Sequence, residues 1–505
     1  MSGYAKRKSV MAFVPETTEG TLVAPSAATQ YSAFQADWTT DPGQEFITPA
    51  EMRNSLGDSK PIPGFQNPTC GGSHYLRASG TAGTAPDWND LMKAFLGTEV
   101  TNSTEYDTVA GSTTSVVNVD SGEGANFQRG HGLLIKDNTN GWRIRVVHSV
   151  STDALSLSFQ VPTAPASGVN LGKAVFWKPA ESGHQTLSVW YYIANGAAVE
   201  AISGCRVTDF VASASAGALP TAKFGLEGLN HYLNPIQITA STKYIDWTND
   251  DGTFAAQVPT GDYAHPAQLA TALQTVMNAI STGETHTVSY SNSTGKFTFT
   301  CTGTVLTLKW NTGTNTANSI AAKVGFSTAA DSSGTAATTG YTSTNAYTLT
   351  SPYTPTLDSA EAYAAKNQEI MIGDASDYTC FDSPSVEVSS NLDRAVQESL
   401  CAESGRSGAA LTGRHCTIKV RKFVEQYDSQ MYGRMIEGTT TRFQWSWGRK
   451  ASKQWVGGEC GYVYCPAVVV KKWQVTEENG AAMFDIELQT FVGTDQLAEM
   501  YVGTL

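Results

Sequence analysis

The chain is poor in charge, poorer still in cations, and lacks the short signatures that carry catalysis. Only 16% of its 505 residues are Asp, Glu, Lys or Arg, below the roughly 25% usual in soluble proteins. Its 33 Lys+Arg stand against 46 Asp+Glu, a formal charge of −13. Tight DNA binding needs a basic face to neutralise phosphates, so that class is excluded. No run approaches the roughly 20 apolar residues of a membrane span, and no membrane insertion is expected. The eight cysteines, at 70, 205, 301, 380, 401, 416, 460 and 465, form no CxxC pair and have no His at zinc spacing, which argues against structural zinc. Lys6, Arg7 and Lys8 precede only a short apolar run at 10–14, broken by Pro15 and Glu16. That is no secretory pattern, so all eight cysteines read as cytosolic thiols.

GxSxG, HExxH, GxxxxGK[ST] and GxGxxG are all absent. Gly172-Lys173 and Gly295-Lys296 lack the following Ser/Thr that would hold magnesium, and Ser293 with Lys296 reads as a turn in Ser-Asn-Ser-Thr-Gly-Lys. The histidines at 74, 131, 148, 184, 231, 265, 286 and 415 are isolated, and Asp246, Asp250, Asp251 and Gly252 lack the spacing of a calcium loop. The expectation is a non-enzyme with no catalytic residue, cofactor or metal.

What the chain has is turns and aromatics: 46 Gly, 11 Trp, 20 Tyr and 19 Phe, enough for sizeable cores. Alternation at Leu187, Val189, Tyr191 and Ile193 runs into Asn195-Gly196, and Trp142, Ile144 and Val146 follow Asn140-Gly141. Trp473 and Val475 run into Asn479-Gly480 and return through Phe484, Ile486 and Leu488. Asn-Gly supplies the positive φ of a type I′ turn, so these are three hairpins. Cys416, Ile418 and Val420, and Phe443, Trp445 and Trp447, mark two more half-buried strands. A helix opened by Pro86 and closed by Gly97 places Trp88, Leu91, Met92 and Phe95 on one face as a core helix. A second, from Pro266, is expected to bury Leu269, Leu273, Val276, Met277 and Ile280, and a short third covers 496–501.

Between 232 and 352 there are ten charged residues and 38 Ser+Thr. This predicts an inserted Thr/Ser-rich α+β domain at 233–352, ending in an Ala/Ser/Thr/Gly tail at 327–344 that reads as a mobile loop or linker. A second insertion, at 106–177, reads as a small all-β module. The remainder, 1–105, 178–232 and 353–505, is a discontinuous β core.

The core resembles the major tail tube proteins of long-tailed (siphovirus-like) bacteriophages. The resemblance rests on PETTEGT (15–21), EMRNSLGDSKPIPG (51–64), SGTAGTAPDWNDLMKAFLG (79–97) and LTGRHCTIKVRKF (411–423), in that order, with a final Asn-Gly hairpin. It implies a mainly β fold, a sandwich or barrel-like core with a short flanking helix. It also implies homo-hexameric rings stacked into a hollow tube through which genomic DNA passes without tight binding. Tape measure, tail terminator and baseplate proteins would be partners, and the place would be the virion tail, assembled in the host cytoplasm. Within that picture the 39–71 segment, with Glu45, Glu51, Arg53, Asp58 and Lys60, is expected to reach the next ring. Lys419, Arg421, Lys422 and Arg442 are candidates for charge contacts between subunits, and the inserted domains would lie on the tube exterior. The alternative is a β-rich capsid or fibre protein, or a surface protein whose inserts bind host glycans.

Overall fold

The computed structural model describes residues 6–50, 59–137, 141–281, 283–335, 337–347, 349, 352–402, 404–424, 430–478, 480–492 and 499–505. Glu51, Arg53, Asp58, Asn140, Asn479 and Gln496 lie outside the described residues. The chain is mainly β, with three α-helices among the described residues. It divides into two compact units.

The smaller unit comprises Met1–Met11, Val189–Ser203 and Asn230–Tyr353. Ala194, Asn195 and Gly196 all take positive φ at the expected hairpin turn. The Ser/Thr-rich segment forms three small sheets. Ile236–Ile238 pairs with Gly261–Tyr263, Tyr244–Asn249 lies between Gly252–Gln257 and Leu306–Leu308, and Lys296–Cys301 lies between His286–Ser291 and Tyr341–Thr342. The helix Pro266–Ile280 begins with a proline whose fixed φ suits a first turn. It buries Leu269, Leu273 and Met277 against Trp247, Phe297, Phe299 and Trp310 in one cluster. Two expected members differ. Val276 is only partly buried and Ile280 is exposed, because Ile280 sits in the last turn, past the edge of the core.

Most described residues of the 327–344 tail are exposed, but a few anchor it to the sheet. Ala337 is fully buried, Tyr341 and Ser343 are buried, Ser332 bridges to Leu308, and the Cys301 amide donates to the Ala337 carbonyl at 3.0 Å. Small residues leave no periodic pattern to read, yet they let backbone approach a sheet edge closely.

The larger unit comprises Ala12–Ser188, Gly204–Leu229 and Thr354–Leu505. Its helix, Asn89–Leu96, closes where Gly97 (φ +94°) donates its N–H to the Lys93 carbonyl. Leu91, Met92 and Phe95 are fully buried, and Trp88, just ahead of the first turn, is buried and donates Nε1–H to the Arg77 carbonyl at 3.0 Å. Tyr501, expected to end a third short helix, instead opens the strand Tyr501–Thr504. The strand fills the gap between Ala174–Pro179 and Gln454–Glu478, and that pairing overrides a local helical preference. The helix that sequence reading missed is Gln430–Glu437, which carries Gly433 in its interior and buries only Met431 and Arg434.

The segment 106–177 contributes a four-stranded sheet in the order Val116–Asn118, Ala154–Leu157, Gly141–Ser151, Gly132–Asp137. One face of it buries Val117, Leu133, Ile135 and Leu157. From the other, Leu134, Ile144 and Val146 join Phe176 of the same segment and Trp455, Tyr462 and Tyr464 of the surrounding strands. This explains a second departure from expectation. The strand Thr441–Ala451 buries Phe443, Trp445 and Trp447, but Gln444 and Ser446 on its polar face are fully buried too. Ser158 Oγ donates to Gln444 Oε1 at 2.6 Å, and Gln444 Nε2 donates to the Ile144 carbonyl at 3.1 Å. Satisfied hydrogen bonds make a polar face as buriable as an apolar one.

Candidate assembly surface

Four long antiparallel strands of the larger unit run side by side in the order Ser385–Glu398, Arg406–Phe423, Ala481–Thr490 and Gln454–Glu478. Side chains alternate between faces, and the register turns that alternation into rows across the sheet. Val388, Ile418, Leu488 and Val470 form one row, all buried. The adjacent row on the opposite face is Glu387, Lys419, Glu487 and Lys472, a strict alternation of sign. Lys419 Nζ reaches Glu387 Oε1 at 2.9 Å, and Arg421 Nε reaches Asp485 Oδ1 at 2.7 Å with a further pairing to Glu478. Hydrogen bonding to Glu387 raises the Lys419 ammonium, and hydrogen bonding to Asp485 raises the Arg421 guanidinium. A groove of about 490 Å³ runs over this face, bounded in part by Ser213, Ser215, Glu387, Lys419 and Arg421.

Of the sequence-selected cations, Lys419 and Arg421 stand on this polar face. Lys422 and Arg442 do not. Lys422 is buried, its ammonium 5.5 Å from the Phe381 ring centroid, and Arg442 donates to the Leu157 and Ser158 carbonyls at 3.2 and 2.9 Å.

The 39–71 segment starts and ends in the sheet, where Thr39–Asp41 pairs with Thr69–Tyr75. Gly43, at φ +58°, turns the chain out: a Cβ there would stand 1.9 Å from the Asn67 carbonyl oxygen, which only glycine avoids. Beyond it, Gln44–Ile47 pairs with Ile62–Gln66 as a two-stranded arm. Glu45 and Lys60 are exposed, and so are the apolar Phe46 (63%), Ile47 (61%) and Ile62 (54%). Arg394 and Arg406, from the first two long strands, both donate to Asn67 at the arm's root.

Two buried ionic clusters were not legible in the sequence, because their members are far apart along it. Asp87 pairs with His74 at 3.0 Å and Arg77 at 2.8 Å, while its backbone N–H donates to Asp358 at 3.0 Å. Burial would raise Asp87, but the His74 and Arg77 partners outweigh it and hold the carboxyl low. Burial and the Asp87 charge push Asp358 up to about 8. Glu369 pairs with Arg143 at 3.3 Å, Arg145 at 3.5 Å and Lys450 at 3.0 Å. Burial opposes its ionisation, and the three cations together reverse that and lower it. Each cluster ties together segments far apart along the chain.

No family model and no curated protein matches the chain. Parts of solved structures do resemble it. The tail of an empty gene transfer agent particle with C6 symmetry matches over 27% of this chain and 98% of its own, at 16% identity and a TM-score of 0.21. The tube-terminating cap of the anti-feeding prophage matches over 29% and 96%, at 15% identity and 0.22. The Hcp1 protein of E. coli EAEC 042 pathovar matches over 27% and 97%, at 13% identity and 0.17. TM-scores this low carry neither fold nor role to this chain.

Proposed function

We propose that the chain is a structural virion protein of a siphovirus-like phage tail, polymerising as stacked hexameric rings into a hollow tube through which genomic DNA passes. The observation that carries the reading is the four-strand sheet with one apolar and one charge-alternating face. Such a sheet covers its own core on one side and offers the other to a neighbour or a lumen, and closing sheets around a ring removes exposed strand edges. The resemblance of the N-terminal and C-terminal motifs to tail tube proteins supports it independently. Charges on the polar face alternate rather than accumulate, so DNA would meet no basic strip to grip. The arm formed by Gln44–Ile47 and Ile62–Gln66 is the candidate for inter-ring contact, with the charged Glu45 and Lys60 exposed along with the apolar Phe46, Ile47 and Ile62. Partners are other copies of the chain and the tape measure, terminator and baseplate proteins of the same tail; no catalysis is required.

Negative-stain microscopy of the purified chain tests this. Stacked rings or tubes are the expected result, and a persistent monomer at high concentration would sink it. Charge reversal at Lys419→Glu breaks the alternating row while costing under about 1 kcal/mol of fold stability, as exposed pairs do. Tubes should shorten or vanish with the melting temperature nearly unchanged; unaltered tubes would remove the face from the assembly.

A further inference from the structure

The smaller unit carries a cluster of a different kind at the open end of the hairpin His286–Ser291/Lys296–Cys301. His286 and Cys301 are direct antiparallel partners, and Glu284 precedes His286 by two positions, so alternation brings all three to one face. One ligand atom from each, an imidazole nitrogen, the thiol sulfur and a carboxylate oxygen, lies within 4.8 Å of the other two. His286 is fully buried, yet neither ring nitrogen has a hydrogen-bond partner. Buried polar groups are nearly always satisfied, and one that is not calls for an explanation. Cys301 is buried and hydrogen-bonds through Sγ to Glu284 Oε2, while Glu284 Oε1 accepts the Asp250 N–H at 3.1 Å and is thereby oriented. Asp250 and Asp251 add negative charge from the facing turn, and among the described residues no lysine or arginine pairs with either of them or with Glu284. Trp247 stands edge-on to the imidazole, ring centroids 5.6 Å apart.

We propose that Glu284, His286 and Cys301 form a binding site for a zinc-class divalent cation. Thiolate with imidazole selects a borderline transition metal over magnesium or calcium, which prefer all-oxygen shells. Three protein ligands leave one position of a tetrahedral shell for water. On binding, the Cys301 thiol gives its proton to solvent, so the Sγ–H···O bond to Glu284 is exchanged for two metal–ligand bonds, and an unpartnered imidazole nitrogen gains its partner. Two strand ends and the preceding loop become cross-linked where the hairpin is otherwise open. Cys301 lies fifteen residues beyond His286, outside any short spacing motif, and the hairpin register brings it to the Glu284–His286 pair.

The full chain, stripped with a chelator and dialysed, is titrated with zinc and separately with cobalt(II). The expected result is one cation per chain in the presence of excess magnesium, a thiolate-to-cobalt charge-transfer band, and partial quenching of tryptophan fluorescence by cobalt through Trp247. Cys301→Ser should abolish the charge-transfer band and weaken binding by more than the ~10–100-fold that loss of an outer-shell partner costs. Because that variant changes a buried residue, two measurements spare the core. Glu284→Gln, at a half-exposed position, should weaken zinc binding with the chelator-treated melting curve unchanged. Zinc should also slow alkylation of Cys301 in the parent chain, read by peptide mass spectrometry. Zinc bound equally by parent and Glu284→Gln, a cobalt spectrum without a sulfur band, or an alkylation rate indifferent to zinc would each overturn the site.

Discussion

The segments 106–177 and 233–352 read alike in sequence, each a β-rich stretch set into a longer β chain, but their cores close differently. The second closes on itself. Trp247, Phe297, Phe299, Trp310 and Phe326 pack with the helix residues Leu269, Leu273 and Met277, all from 236–347. The first has two faces and closes only one. Val117, Leu133 and Leu157 pack together, whereas Leu134, Ile144 and Val146 are covered by Trp455, Tyr462 and Tyr464 from outside the segment. Glu369 and Gln444 then bind the same sheet through Arg143, Arg145 and Ser158. A shift in composition thus marks a stretch of chain, and the completeness of its core decides whether that stretch is a separable body.

The sharpest way to break this comparison is deletion. Removing 106–177 strips cover from Tyr462, Tyr464 and Trp455, and the larger unit should fail to fold, seen as loss of the cooperative melt by circular dichroism. Removing 236–350 should leave that melt in place, and equal damage from both deletions would erase the distinction. Next in size, Trp247→Ala should cost the smaller unit ~3–5 kcal/mol, as large aromatic deletions do. Calorimetry should then show one transition moving while the other stays, and a single shifted transition would show that the units melt as one. Gly132→Ala probes the fused boundary directly. Its Cβ would lie 2.2 Å from Tyr462 Cε1, an overpacking worth ~1–3 kcal/mol, and the loss should fall on the larger unit only. The smallest effect is one of pH. Asp358 is raised to about 8 in the folded chain, so its contribution to stability is full below the ordinary carboxylate range and is lost as pH rises through about 8. Asp358→Asn, which cannot ionise, should gain in melting temperature over the parent as pH rises from the ordinary carboxylate range to about 8 and hold that gain above it; parallel pH profiles would show that Asp358 titrates normally.

Much of this fold was legible. The alternation at Cys416, Ile418 and Val420 and at Phe484, Ile486 and Leu488 gave the strands, the Asn195-Gly196 turn took its positive φ, and the helical spacing of Leu91, Met92 and Phe95 gave the core helix. What stayed hidden depends on the partner rather than on the strand. Gln444 and Ser446 read as solvent-facing because polar alternation cannot tell water from a hydrogen-bonding neighbour. The burial of Ala337, Tyr341 and Ser343 within the 327–344 tail stayed hidden because small residues pack without periodicity. Tyr501 read as the end of a helix because its place in a sheet is set by residues more than thirty positions away. The Glu284, His286 and Cys301 constellation was invisible for a similar reason: it is written in the register of a hairpin.

The strand Gln454–Glu478 is 25 residues long, about 80 Å of contour at ~3.3 Å per residue. Its first half pairs with Thr441–Ala451 and its second with Ala481–Thr490. A pull along this strand would load those ladders in shear, with many hydrogen bonds sharing the force, whereas a peel at one end would open them one at a time. The chain therefore has a stiff direction and a weak one. A filament that aligned this strand with its long axis would resist stretching far better than it resists splitting.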